Sequence, residues 1–209
     1  RVAWSPTLGY ARVDAEVLAV CRAAVERLAD LGTEVVEVDT VFSADPVDDW
    51  LAMVGVYALR ELDGHRDDPD VWGRVDPGLV ALVEWARSSV TAARFASALD
   101  ESHRLNLALV ELFHRASLLV TPTVAGQTPP VGEPGTIDGV ADANWVQLTY
   151  GFNMTRSPAG TVCAGFTADG MPVGLQVIGP QHADVAVLRL VALLEDTLAL
   201  DPVPPFGAA

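Results

Sequence analysis

Apolar residues along this chain recur at two periods, and the change from one to the other lays out its elements. Val2-Ala3-Trp4 is a short apolar run ended by Ser5-Pro6-Thr7-Leu8-Gly9, whose proline and glycine break regular structure. Asp14 stands as a helix cap before Val17, Leu18, Cys21, Val25 and Leu28, a helical stripe for which Gly32 is the C-terminal stop. Val35, Val36 and Val38 form the next strand, and a strand-helix-strand unit within one sheet is parallel and right-handed. From Asp45-Pro46 the helical period takes over: Trp50, Leu51, Val54 and Ala58 follow Pro46, an acidic loop covers 64–73, and Asp76-Pro77 opens a helix through Leu79, Val80, Val83 and Ala86. Thr91 caps a longer helix whose stripe is Phe95, Leu99, Ser102, Asn106, Leu109 and Phe113, so residues from about 45 to 115 are expected to form a helical lobe beside the sheet.

Leu118-Leu119-Val120 returns to strand and Thr121-Pro122-Thr123 ends it. Residues 124–141 carry Pro129, Pro130 and Pro134 with Gly126, Gly132, Gly135 and Gly139, a composition for an irregular connection of unusual length. An irregular polar segment at 145–158 then feeds a tight hairpin. Asp169-Gly170 separates two apolar runs, 159–164 and 173–178, and this dipeptide readily takes a two-residue turn. Both runs are apolar without clean alternation, which predicts strands covered on both faces at the centre of a sheet. Asp184 is expected to cap a last helix through Val187, Leu188, Val191, Leu194 and Leu198, and Pro202, Pro204 and Pro205 to end the regular chain. The pattern as a whole is α/β: a mixed sheet flanked by helices.

Composition narrows the function classes. Half of the 209 residues are hydrophobic, enough for a sizeable core, and no apolar run approaches the length that spans a bilayer. The chain opens on Arg1 with no signal-peptide layout and no initiator methionine, which fits a fragment, a processed chain or an internal start. A net charge of −15 with scattered basic residues argues against nucleic acid and anionic membranes as partners. All thirteen basic residues are arginine, so this sequence supplies no lysine base, Schiff base or phosphate-loop lysine. Cys21 and Cys163 fit no zinc or redox spacing and read as reduced, buried thiols, which suits a cytoplasmic setting.

The candidates for chemistry are few. No Gly-x-Ser-x-Gly elbow exists, and Ser157 is followed by Pro158 and preceded by Arg156, a permanent cation that takes no proton. Cys163 with His182 is a conceivable thiol-imidazole pair, both within reach of one end of the hairpin, but the buried-core reading of Cys163 outweighs it. Glu111 and His114 make half of a carboxylate-bridged metal motif with no second copy, and Asp67, Asp68 and Asp70 lack the glycine and glutamate of a calcium loop. No metal and no cofactor are expected.

One ordered set of residues remains: Trp145, Thr149, Asn153, Pro158-Ala159, Gly165-Phe166, Asp169-Gly170, Pro172-Val173-Gly174-Leu175-Gln176 and Ile178-Gly179. It resembles the C-terminal signature region of the amidase signature family, serine hydrolases of amides, with similarity running from the first residues to about Leu198. The resemblance implies that residues 1–209 are the C-terminal portion of such an enzyme and part of the amidase signature fold. In that family a serine nucleophile, a second serine and a lysine base cleave the amide, and all three belong to the first half. No residue here inherits a catalytic role, and the chain alone is expected to be inactive.

What the resemblance does carry over is a wall of the pocket for a small-molecule amide, assigned to Thr123, Trp145, Thr149, Tyr150 and Asn153. Read from the residues alone, Trp145 and Tyr150 are core aromatics, a reading favoured for Trp145, and Asn153 holds a turn, a reading of equal weight with the pocket one. Gly151 stands where the family usually has proline, and Arg156-Ser157 replaces the common Gly-His or Gly-Gln, both beside the implied pocket. Two alternatives stand: a non-catalytic binding or assembly module, and part of the A subunit of a glutaminyl-tRNA amidotransferase. The second is less attractive because Val146 lies where that subunit often has an acidic residue. An incomplete sheet would leave an edge and an apolar face open, so association with a missing N-terminal half or with itself is expected.

Overall fold

A computed structural model describes residues 1–200; the prolines 202, 204 and 205 lie outside the described residues. In chain order the elements are β1 (Val2–Trp4), α1 (Ala15–Asp30), β2 (Val35–Glu37), α2 (Val47–Leu62), α3 (Pro69–Trp72), α4 (Pro77–Ser89), α5 (Ala92–Phe113), β3 (Leu118–Pro122), β4 (Thr136–Ile137), β5 (Val140–Ala141), α6 (Tyr150–Thr155), β6 (Ala159–Phe166), β7 (Pro172–Ile178) and α7 (Asp184–Leu198). The chain divides into two compact units, one made of Arg1–Asp45 with the chain from Leu107 onward, the other of Pro46–Asn106.

The first unit holds a five-stranded mixed sheet in the order β2-β1-β3-β7-β6. β1 runs parallel to β2 and β3, and β7 runs antiparallel to β3 and β6. One sheet face is apolar. Trp4, Val120, Leu175, Val177 and Val162 project from it into a core completed by Val17, Cys21, Val25 and Leu28 of α1 and by Val187, Leu190 and Leu194 of α7. Each such side chain removed from water contributes about 1.5–3 kcal/mol. Cys21 lies within this layer, and burial pushes its thiol up to about 12, so it behaves as a small hydrophobe.

The hairpin forms as the sequence predicts, with differences in its turn and its place. Thr167 and Met171 close a loop in which the Gly170 N–H donates to the Thr167 carbonyl (2.9 Å) and Gly170 takes φ +86°. Three residues therefore turn the chain rather than two, with glycine at the left-handed position. Among the described residues β6 stands last in the sheet, beside β7. Cys163 within it is half-exposed rather than buried. Residues 64–73, read as loop, contain α3, which Asp68 caps by accepting from the Asp70 and Val71 N–H groups. Asp184 is the first residue of α7 and does not cap it.

The second unit is helical. Gly55 lets α2 approach α4 so closely that a β-carbon on it would lie 2.9 Å from Ala86 Cβ. Arg94 pairs with Asp49 (2.5 Å), Arg66 makes a two-point bridge to Glu84 (3.0 and 3.2 Å), and Tyr57 meets Phe95 edge-on. Among the described residues no helix is long and apolar enough to cross a membrane.

In the first unit the long connection is tied down by one carboxylate. Asp14 is buried, caps α1 through the Glu16 and Val17 N–H groups, and accepts from the Asp138 N–H (2.9 Å) and the Gln127 amide (3.3 Å). Burial opposes its charge, but the bonds from Asp138, Gln127, Val17 and Glu16 outweigh it and hold the carboxyl below its ordinary value. With the folded pKa below the unfolded value of about 3.9, its contribution is present above that value and is lost as pH falls through the folded pKa. Asp14→Asn turns a donor toward the Asp138 N–H and is expected to cost about 1–3 kcal/mol near neutral pH. In urea titrations across pH, the gap from the parent should close in acid.

Candidate functional site

The opposite face of the sheet is polar where it meets the segment before α6. Gln176 of β7 lies directly between Thr121 of β3 and Thr161 of β6, and residues opposed in register share a face. Gln176 is buried and donates both amide hydrogens: to the Pro122 carbonyl (3.1 Å) at the end of β3 and to the Leu148 carbonyl (3.0 Å) just before α6. One side chain thus fixes the height of α6 over the sheet. Beside it the Thr123 hydroxyl donates to the Thr161 hydroxyl (3.2 Å), and the Thr123 N–H donates to the Gly174 carbonyl (2.8 Å).

The five residues assigned to the pocket wall fall into two groups. Thr149 and Asn153 share one side of α6 at helical spacing; Thr149 is half-buried at its start, and Asn153 is exposed. Thr123 sits where β3 ends, next to Pro122, whose carbonyl Gln176 ties to that of Leu148 before α6. Trp145 and Tyr150 are engaged in packing. The Trp145 ring lies against Gly135 so tightly that a β-carbon there would come within 2.3 Å of it, and its carbonyl accepts from the Ala125 N–H (2.7 Å). Tyr150 is buried and donates to Asn144 Oδ1 (2.9 Å), while the Asn144 amide donates to Asp45 (3.0 Å). Burial, then Asp45 and Asp142, raise the Tyr150 phenol above its ordinary value. Burial, Asp45 and Tyr150 do the same to Tyr10, whose hydroxyl donates to the Gln147 carbonyl (2.9 Å). Both phenols are neutral hydrogen-bonding groups, not bases.

The segment read as irregular contains the short helix α6, five of whose six residues are buried. The hairpin register separates Cys163 from His182. Cys163 pairs with Gly174, and His182 follows the end of β7 at Ile178, at least about 13 Å further along the strand. Ser157 shares a hydrogen bond with Thr155 (2.9 Å), and Glu111 and His114 are both exposed. Sequence reasoning missed Thr161 as the partner of Thr123 and Gln176 as the tie between Pro122 and Leu148; their signal is a lone polar side chain in each of two strands otherwise apolar.

The profile of the family described as Amidase matches residues 1–188. The chain belongs to the amidase family. An acylamidase from Rhodococcus erythropolis is 33% identical over 93% of this chain and 42% of its own length. A 2-amino-5-chloromuconic acid deaminase from Comamonas testosteroni is 31% identical over 88% of this chain and 40% of its own length. Among solved structures, a 6-aminohexanoate cyclic dimer hydrolase matches with a TM-score of 0.78 at 25% identity, over 99% of this chain and 46% of that one. A bacterial aryl acylamidase of the amidase signature enzymes has the same TM-score at 21% identity, covering 97% and 46%, a likeness of fold. This chain spans about 40% of the length of the curated relatives it matches.

Within this amidase fold the departure at Gly151 has a packing cause. A β-carbon on Gly151 would stand 2.6 Å from Cε2 of Phe42, a fully buried ring that also meets Phe152 at 5.9 Å. Phe42 fills the space that any side chain at position 151 would need. The departure at Arg156 has a backbone cost: it takes φ +54°, the left-handed cap of α6, with its N–H donating to Asn153 and Phe152 carbonyls.

Two outcomes follow for stability. Gly151→Ala, which improves helix propensity, is expected to destabilise by about 1–3 kcal/mol through overpacking, and Phe42→Leu to remove most of that penalty. A double-mutant cycle from denaturant midpoints measures the coupling. Gln176→Leu strands two buried carbonyls and should cost about 2–3 kcal/mol, with the amides of 145–150 gaining hydrogen exchange before the rest of the sheet.

Proposed function

We propose that this chain forms one wall of the substrate pocket of an amide hydrolase acting on a small acylamide. In this reading Thr149 and Asn153 face the substrate from α6 and Thr123 from the end of β3, while Trp145 and Tyr150 hold the wall from behind. The observation that carries the reading is the amidase match across residues 1–188 in a chain that has no lysine and no Gly-Gly-Ser-Ser run. Amide cleavage by the family's chemistry needs a serine nucleophile, a proton relay through a second serine to lysine, and donors for the oxyanion. None of these roles falls on a residue of this sequence, so they belong to a portion of the enzyme outside it. The residues here orient the acyl group so that its carbonyl carbon meets that nucleophile. Two unpaired thiols support a reducing, cytoplasmic setting as part of the same reading.

The test compares hydrolysis of a panel of anilides and aliphatic acylamides by the 209 residues alone and by a protein extended with any in-frame upstream coding sequence. Activity is expected only in the extended protein, where Thr149→Ala and Asn153→Ala raise KM more than they lower kcat. Turnover by the 209 residues alone would overturn the division of labour.

A further inference from the structure

Two hydroxyls inside the first unit face each other without partners. Ser5 follows β1 and donates its N–H to the Val120 carbonyl (3.0 Å), which continues the parallel register of β1 with β3 and sets Ser5 opposite Thr121. Their side chains share the sheet face that carries Gln176, the residue opposite Thr121 in β7. Ser5 and Thr121 are both fully buried, and neither Ser5 Oγ nor Thr121 Oγ1 has a hydrogen-bond partner among the described residues. Residues of this chain already close both side chains off from solvent, so their burial depends on no further portion of the enzyme. Buried hydroxyls in folded proteins are bonded to protein or to water.

A third polar group lies at the same place. In a parallel ladder a residue that donates its N–H to one carbonyl of the partner strand accepts, at its own carbonyl, from the N–H two residues further along that strand. For Ser5 the donor would be residue 122, which is proline and has no N–H. The ladder between β1 and β3 therefore stops at the Ser5 carbonyl.

We propose that this junction binds one internal water, held by Ser5 Oγ, Thr121 Oγ1 and the Ser5 carbonyl; the inference is independent of the proposed function. The donors and acceptors match: the two lone pairs of the water accept from the two hydroxyls, and one of its hydrogens goes to the carbonyl. About three such bonds is the usual complement of a buried water. A metal ion does not suit the site, which has no carboxylate, and an anion would face the carbonyl. The water joins β1 to β3 where Pro122 removes the direct bond, beside the amide of Gln176 that joins β3 to the approach of α6.

Oxygen-17 relaxation dispersion of water in solutions of the purified chain counts long-lived internal waters. Thr121→Val, which keeps the shape of the side chain, is expected to count one fewer than the parent, and Thr121→Ser, which keeps the hydroxyl, the same number. Ser5→Ala should also lose one, and it gives the reading from β1 should Thr121→Val disturb the fold. Denaturant midpoints of the two single variants and their double variant should be non-additive, because loss of either hydroxyl already releases the water. A crystal structure of the parent should place the water within hydrogen-bond distance of all three groups. Equal counts in the parent, Thr121→Val and Ser5→Ala overturn the proposal. So does a crystal structure in which the two hydroxyls bond directly to each other or to main-chain carbonyls.

Discussion

The placement of α6 over the sheet depends on a single amide. Gln176 satisfies two carbonyls that belong to different parts of the chain, Pro122 where β3 stops and Leu148 where the approach to α6 turns down. Both are shielded from water, so neither has an alternative of equal worth, and an unpaired buried carbonyl costs more than a hydrogen bond gains. A longer or shorter side chain would meet one carbonyl and lose the other. This is a reason for glutamine specifically in a strand whose neighbours Leu175 and Val177 are apolar.

The two faces of the sheet consequently do different work. On one, hydrophobic side chains of α1 and α7 settle against Trp4, Val120, Leu175 and Val177, a contact without directional demands. On the other, hydrogen bonds of fixed geometry set where each segment lies, Gln176 for α6 and Thr123 for the end of β3, while at the start of α1 Asp14 does the same for the long connection that returns by way of Gln127 and Asp138. A proline- and glycine-rich segment has little apolar surface with which to hold itself. It is held by polar contacts to a helix start and by the Trp145 ring lying on Gly135.

Local signals in the sequence were read correctly wherever the physics is local. The Asp14 and Asp76 caps, the Gly32 stop and the antiparallel hairpin around Gly170 each depend on a few consecutive residues. Readings that depend on distant partners fared differently. An apolar strand looks the same whether one or both of its faces are covered, so the partial exposure of Cys163 in β6 was not legible. The helix α6 is too short to show a period, and its burial comes from what lies above and below it. For the candidate site, Thr149 and Asn153 were named through family resemblance alone, and their shared side of α6 emerges only from the fold. Gln176 was visible as a motif residue but not as the hinge between two segments, because its acceptors are backbone carbonyls that leave no trace in residue identity.

The same distinction governs how departures from a family pattern should be weighed. Gly151 lies within α6 and Arg156 caps it, and where the family resemblance leads one to expect other residues, the structure accounts for the two unequally. At Gly151 the cause lies in Phe42, whose ring fills the space a side chain would need; the change and its compensation are both internal, and the exposed side of α6 is untouched. At Arg156 no compensation is visible in the backbone, which still takes the left-handed cap that glycine adopts without cost and other residues adopt at about 1 kcal/mol. An exposed guanidinium therefore stands at this end of α6 against a backbone penalty. Of the two departures, the one at Arg156 bears on what approaches this end of α6, and the one at Gly151 bears on how the helix is seated.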